Sequence, residues 1–278
     1  MTRADKYLIK DIANILENGY MDENPRPKYE DGTPAHTISV NHNMRTYDLS
    51  KGDFPICTLR PQAWKTGIKE IFTIYQHPTN VIKEMEEMGV NWWGPWDIGD
   101  GTIGQRYGAT VKRYNLIDKL IKDIKEDPYG RRKVVSLWQE QDLMETKGLA
   151  PCAFLTIWNV RGAYLDMAMI QRSGDMLTAS GAGGINEIQY ATLLMMIARV
   201  TGYTAGRFTH FVANEQIYDR HIENAHILMA RETPSDEEPP RLILKADDTY
   251  DFKDIKLEDF EMLGYNPIKP QLKFELGI

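Results

Sequence analysis

A chain of 278 residues with 42% apolar and 26% charged residues is long enough to bury a large core, and its net charge of −7 disfavours a broad nucleic-acid-binding face. Any anionic ligand must then be held by a local cluster of arginines, which points to a small molecule rather than DNA. Cys57 and Cys152 stand far apart and outside any metal-ligand spacing, so neither a disulfide framework nor a metal site is indicated. With no signal-peptide pattern and no apolar run of membrane-spanning length, a cytoplasmic protein is expected.

In chain order, helical periodicity predicts helices near residues 5–18, 62–76, 79–88 and 114–126, and strand-like alternation falls in HTISVNHNMRTYD before the second of these. Three further strands are predicted in RKVVSLW, FLTIWNV and AYLDMAMI, then a helix near 186–201, a strand in RFTHFVA and a helix near 215–231. TPSDEEPP, Thr233 to Pro240, reads as a surface loop. Helices and strands intermingle without a regular βα repeat, which predicts one α+β layered domain over 1–278 rather than a Rossmann or barrel fold.

Several segments carry groups suited to chemistry. LAPCAF puts Cys152 between a proline turn and a strand, where a thiol can face a cleft, although a lone cysteine is more often a small buried hydrophobe. A nucleophilic role needs a positive charge or base nearby, because a free thiol titrates near pH ~8.5. QRSGD closes the strand AYLDMAMI; if this strand and the one after Cys152 form a hairpin, Arg172 returns beside the sulfur. In DPYGRRKVV the neighbouring Arg131 and Arg132 point to different sides of a strand, so the pair is either surface charge or a reach beyond its own subunit. NWWGPW gathers three tryptophans around a Gly-Pro turn, where indoles suit a flat ligand. ANEQIYDRH opens the last predicted helix with Gln216, Tyr218 and His221 as hydrogen-bonding groups or caps.

The order and spacing of these motifs over almost the whole chain resemble thymidylate synthase, the folate-dependent family with a cysteine nucleophile. The resemblance runs from DGTPAHTISV through LRPQAWKTGIKEIF, NWWGPW, DGTIGQRYG, DPYGRRKVVSLW, LAPC and QRSGDMLTA to QYATLLMMIARVTG, IYDRHIENA and DFKDIKLEDFEMLGY. It implies a mixed sheet packed with helices, a sheet-to-sheet homodimer, and transfer of one carbon from 5,10-methylenetetrahydrofolate to C5 of dUMP, without a metal. Cys152 then matches the nucleophile, Arg172 and Ser173 the ligands of the nucleotide phosphate, and Arg26 a mobile arginine on the same phosphate. Arg131 and Arg132 match the pair lent across the dimer. Glu70 matches the carboxylate that organises water near the base, and Tyr107 the tyrosine that takes up the C5 proton through water. Trp93 and Trp96 match tryptophans beside the folate, Asp175 a pterin contact, Tyr218 a hydroxyl on the sugar, and Ile278 a tail residue that closes over the folate.

Three departures from the family pattern lie near the ligands. SGAGGINEIQY carries about three extra residues; aligning back from Tyr190 places Asn186 at the asparagine that reads uracil, where a cytosine-specific relative would use aspartate. Gln216 stands where the family has a histidine on the sugar 3′-hydroxyl, which leaves deoxyribose against ribose open. Ala153 replaces the histidine that often follows the nucleophile. Two other functions compete with methylation: a nucleotide hydroxymethylase, in which water meets the exocyclic methylene, and a non-catalytic nucleotide- or RNA-binding homologue. Trp93, Trp96 and the tail, which exclude water, favour methylation, and retention of Cys152 with Arg172, Glu70 and Tyr107 argues against loss of turnover.

Overall fold

The computed structural model describes residues 1–233, 238–247 and 249–278. Half of the surface loop expected in TPSDEEPP, from Pro234 to Glu237, lies outside the described residues.

The chain starts with α1 (Arg3–Asn18), set by a capping box in which the Thr2 hydroxyl accepts from the Asp5 amide and the Asp5 carboxylate accepts from the Thr2 amide. Its apolar stripe, Leu8, Ile12 and Ile15, is buried. After β1 (Tyr20–Met21) comes β2 (Thr37–Asp48), the segment HTISVNHNMRTYD expected to be extended. Next are α2 (Trp64–Ile71), which runs on through a wider turn to Gln76, and then α3 (Ile82–Glu87). Two helices follow end to end, α4 (Gly108–Tyr114) and α5 (Leu116–Glu126), joined at Asn115 with φ 49°. β3 (Val134–Ser136) and α6 (Glu140–Glu145) lead to the hairpin of β4 (Ala153–Arg161) and β5 (Tyr164–Gln171). After the short β6 (Gly174–Asp175) the chain forms α7 (Ile185–Val200) and β7 (Thr204–Tyr218). It closes with α8 (Ile222–Ala230) and a separate antiparallel pair, β8 (Arg241–Leu244) and β9 (Phe260–Leu263).

The main sheet has the order β1-β2-β7-β5-β4-β3, with β6 also paired to β7. β7 runs parallel to both β5 and β6 while the other pairs are antiparallel, so the sheet is mixed and the fold is α+β, as the intermingled pattern predicts. The parallel pair needs a crossover, and α7 supplies it. That helix is buried on almost every side, packed between α2 and the sheet, which explains its nearly all-apolar sequence. The opposite sheet face is only half covered, with Met44 62% exposed.

One expectation fails. The helix predicted over 215–231 begins only at Ile222, because residues 213–218 continue β7 and are claimed by backbone pairing with β2 on one side and β6 on the other. Glu215, whose charge reads as a surface position, is fully buried in that strand and paired with Arg45. Gln216 and Tyr218 are therefore strand residues.

The extra residues after QRSGD form a compact turn rather than a loose loop. Met176–Ser180 make a widened helical turn, Gly184 donates to the Gly181 carbonyl at 2.8 Å, and Gly183 takes φ 66° with its carbonyl accepting from the Cys57 amide at 3.0 Å. A Cβ on Gly183 would stand 2.2 Å from the Cys57 nitrogen. Gly183→Ala should therefore cost more than about 1 kcal/mol in urea unfolding, through both the left-handed backbone and the clash. An unchanged midpoint would show that the turn is not packed in this way.

Candidate active site

The β4–β5 hairpin ends at the pair Ala153–Gln171, so the next residues along, Cys152 and Arg172, face each other. The Arg172 amide donates to the Cys152 carbonyl at 2.9 Å. Its guanidinium folds back over LAPC: Nε donates to the Pro151 carbonyl at 3.0 Å, Nη2 to the Ala150 carbonyl at 2.8 Å, and Nη2 stands 3.6 Å from Cys152 Sγ. Cys152 is half-buried, and the two influences on its thiol oppose each other. Burial pushes its pKa up and the Arg172 charge pulls it down, with burial the larger, so the resting group is a thiol. Cys57 is fully buried and pushed up to about 12, which removes it from consideration as a nucleophile.

Tyr107 also reaches the same cysteine, at its backbone. Its hydroxyl accepts from the Cys152 amide at 3.4 Å, and its backbone sits at φ 48°, a region that non-glycine residues avoid. Burial raises its phenol well above the ordinary tyrosine range. Tyr190 supports the same strand, donating to the Ala153 carbonyl at 3.1 Å and meeting the Tyr75 hydroxyl at 2.9 Å.

Glu70 projects from α2 and is buried. Trp92 Nε1 and Trp93 Nε1 donate to its Oε1 at 2.7 and 2.5 Å, and Gln189 of α7 donates to Oε2. Burial raises the carboxyl pKa, while these three donors favour the anion and hold it back. The tryptophans also touch one another and the tyrosine: Trp93 meets Trp96 edge-on at 5.6 Å and Tyr107 at 5.1 Å.

Asn186 sits in the first turn of α7, half-buried, with Oδ1 accepting from Gln171 at 3.3 Å and Nδ2 donating to Gln189 at 3.2 Å. Asp175 caps the widened turn at Met176–Ser180, accepting from the Leu177 amide and the Thr178 hydroxyl; burial raises its carboxyl, opposed by His221 with Nδ1 3.8 Å away. Gln216 is half-buried on β7, in register with Asp175. Tyr218 lies two residues further, its phenol pushed up to about 12 by burial and donating to the Gly277 carbonyl at 3.4 Å. The tail is seated against the start of the chain: Lys28 and Ile278 exchange both backbone hydrogen bonds, at 2.9 and 3.0 Å. Arg26 is exposed beside this seam, with its charge felt at Tyr218.

The fold thus gathers Cys152, Arg172, Tyr107, Glu70, Trp93, Trp96 and Asn186 into one hydrogen-bonded and aromatic cluster, with Ser173 adjoining through its carbonyl, which accepts from Gln171 at 3.0 Å. It does not bring Arg131 or Arg132 there: both are exposed just before β3, and among the described residues neither side chain has a hydrogen-bonding or ionic partner. Gln189 and His210 also belong to the network, as do Trp92 of NWWGPW and Gln171 of QRSGD, none of them singled out by its local pattern. The spacing of Gln189 three residues after Asn186, on one helix face, is the signal that was available. Among the described residues no group of three or more His, Cys, Asp or Glu side chains is placed to hold a metal ion, and no helix is long and apolar enough to cross a membrane.

A mixed-sheet α+β fold with an arginine-flanked cysteine beside a buried carboxylate defines a class of nucleophilic enzymes, and comparison narrows it. The family model for thymidylate synthase matches residues 6–278. A thymidylate synthase of Lactococcus lactis subsp. lactis is 51% identical and one of Streptococcus sanguinis 47% identical, each over 284 aligned residues covering 100% of both chains. The solved structure of a thermostable thymidylate synthase A from Bacillus subtilis superposes with a TM-score of 0.89 at 34% identity over 100% of both chains. The chain belongs to the thymidylate synthase family.

Glu70 gives a stability test. A carboxyl whose folded pKa is raised takes up its proton more readily in the folded chain, so the stabilisation is complete below the unfolded pKa and is lost as pH rises through the folded one. Glu70→Gln stays neutral and should gain stability relative to the parent protein as the pH is raised from about 4 to about 8. Urea unfolding across that range checks it; a difference that does not vary with pH would contradict a raised carboxyl.

Proposed function

We propose that this chain catalyses the reductive methylation of dUMP to dTMP with 5,10-methylenetetrahydrofolate as cosubstrate, acting in the cytoplasm as a homodimer built from one catalytic domain, 1–278. The observation that carries this reading is the Arg172 guanidinium 3.6 Å from Cys152 Sγ, with the Tyr107 hydroxyl on the Cys152 amide and Glu70 held under two indole donors, in a member of the family.

The chemistry assigns a task to each group. C5 of uracil is a poor nucleophile until a thiolate adds at C6, which places negative charge on the ring oxygen and makes C5 enolate-like. Cys152 supplies the sulfur, its proton passing to the water held around Glu70 and Tyr107. A nucleotide phosphate bound by Arg172, Ser173 and Arg26 sets the ring against the sulfur. Arg131 and Arg132 would complete that clamp from the neighbouring subunit; their exposure and the half-covered sheet face support a sheet-to-sheet dimer. C5 then bonds to the methylene carbon of the folate, the C5 proton leaves through Tyr107 and Glu70, and the folate nitrogen departs. Hydride from the folate reduces the exocyclic methylene, the C6–sulfur bond breaks, and dTMP and dihydrofolate result.

A buried Glu70 with a raised pKa is suited to holding and returning a proton at neutral pH. Asn186 would read O4 and N3–H of uracil, and Gln216 and Tyr218 the sugar hydroxyl. Trp93, Trp96, Asp175 and Ile278 would flank the folate and keep water from the methylene. That exclusion, with the thymidylate synthase relatives, favours methylation over hydroxymethylation, and the assembled cysteine site favours turnover over a non-catalytic nucleotide- or RNA-binding role.

Two measurements test the reading. Cys152→Ser should lower turnover by at least about a thousandfold while dUMP affinity stays within a few-fold, since the phosphate clamp does not use the sulfur. Retained turnover would refute the nucleophile. With the parent protein, dihydrofolate should appear near ~340 nm in step with tritium release from C5 of dUMP. Tritium release without dihydrofolate would assign hydroxymethylation instead.

A further inference from the structure

Behind the base-reading end of the site lies a fully buried ionic cluster that the reaction does not use. Arg45 of β2 donates through Nε to Glu187 at 2.7 Å, and through Nη1 to Asp11 and Glu215, each at 2.9 Å. Its Nη2 reaches the Ser180 carbonyl at 2.7 Å and His210 Nδ1 at 3.1 Å. Glu187 also accepts from the Tyr47 hydroxyl and the Gly183 amide, both at 2.7 Å, so the cluster grips the glycine turn and the start of α7 together.

The other nitrogen of the same histidine leads out toward the substrate. His210 Nε2 lies 3.0 Å from Gln171 Oε1. The orientation of each amide beyond it follows from chemistry. A backbone carbonyl accepts and never donates, so the Gln171 NH₂ must face Ser173 O at 3.0 Å, which turns Oε1 toward the histidine. His210 Nε2 must then carry a hydrogen. Arg45 fits this form: its Nη2 can only donate, which suits a bare Nδ1. In the neutral form that accepts from Arg45, and equally in a cation that donates to Glu187 at 3.0 Å, Nε2 keeps its hydrogen. The same Gln171 NH₂ next donates to Asn186 Oδ1, Asn186 Nδ2 to Gln189 Oε1, and Gln189 Nε2 to the Glu70 carboxylate. From His210 Nε2 onward every donor points one way, toward Glu70.

We propose that His210, its Nε2 hydrogen directed at Gln171 Oε1, is a positioning residue for base choice: through Gln171 it locks the Asn186 amide with Oδ1 and Nδ2 in the order that matches uracil and mismatches cytosine. Uracil presents N3–H and O4, and cytosine presents N3 and N4–H₂, so an Asn186 amide turned by 180° would match cytosine equally well. An asparagine free to turn discriminates weakly; one locked by a chain of donors discriminates strongly. The inference rests on Asn186 reading the base, as proposed above.

The test measures kcat/KM by tritium release from [5-³H]dUMP and from [5-³H]dCMP with methylenetetrahydrofolate. His210→Phe, which keeps the ring and removes the donor, should lower the dUMP-over-dCMP ratio by at least about tenfold, largely through a gain on dCMP, and His210→Gln, which can still donate, should restore it. Simple loss of packing would lower both substrates alike and leave the ratio unchanged, which would overturn the proposal. If His210→Phe does not fold, Gln171→Met breaks the chain one link later and is read in the same way. Asn186→Asp separates the two levels: if it leaves the ratio unmoved, Asn186 does not read the base and the underlying reading fails. If Asn186→Asp moves the ratio and the His210 and Gln171 variants do not, only the positioning role is lost.

Discussion

The register of one hairpin fixes the chemistry of this protein. Because Ala153 pairs with Gln171, the strands carry Cys152 and Arg172 to the same end of the sheet, and the Arg172 amide ties itself to the Cys152 carbonyl. A slip of one residue would send either side chain to the opposite face and separate cation from sulfur. The guanidinium is held further by the carbonyls of Ala150 and Pro151, so its charge stays beside the sulfur, with no carboxylate paired to it among the described residues. A positive group fixed in this way offsets part of the burial cost of a thiolate and leaves donors free to meet an anionic substrate.

The remaining site is built outward from that end of the sheet. α7 crosses from β5 to β7 over the sheet and places Asn186 and Gln189 on one face; α2 packs against α7 and brings Glu70 to Gln189. The tryptophan turn seals Glu70 from above. The backbone at Tyr107 is strained, and its surroundings hold it: its ring meets the Trp93 ring and its hydroxyl accepts from the Cys152 amide. Burying Arg45 with three carboxylates is costly unless every charge is paired, as it is here. Here the grip on Ser180 and Gly183 sets how the glycine turn delivers α7.

Much of this was legible in the sequence because it obeys local rules. β5 alternates along its whole length and β4 does so beyond its bulge near Ala153, α1 shows its cap and stripe, and the amphipathic α5 falls where its periodicity puts it. The family pattern supplied Cys152, Arg172, Glu70 and Tyr107, which the fold brings together. What could not be read is where tertiary pairing reverses local appearance. Glu215 and Gln216 look like the first turn of a surface helix, yet Arg45, more than 160 residues earlier, draws Glu215 into the core and keeps the strand going. His210 looks like one polar residue in a β-strand until Gln171 and Arg45 are seen on its two nitrogens. α4 and α6, at 7 and 6 residues, are too short to show a period, and the conformation of the glycine turn depends on contacts with Cys57 and Glu187 from distant parts of the chain.

Covalent attack by Cys152 on the pyrimidine is the step on which every other role depends. Incubation of the whole protein with 5-fluoro-dUMP and methylenetetrahydrofolate, followed by mass spectrometry of its peptides, examines that step, because fluorine at C5 cannot leave as a proton does and the adduct persists. The mass of nucleotide plus folate should appear on the peptide that contains Cys152 and disappear in the Cys152→Ser protein. An unmodified Cys152 peptide in a sample that still turns over dUMP would contradict the mechanism.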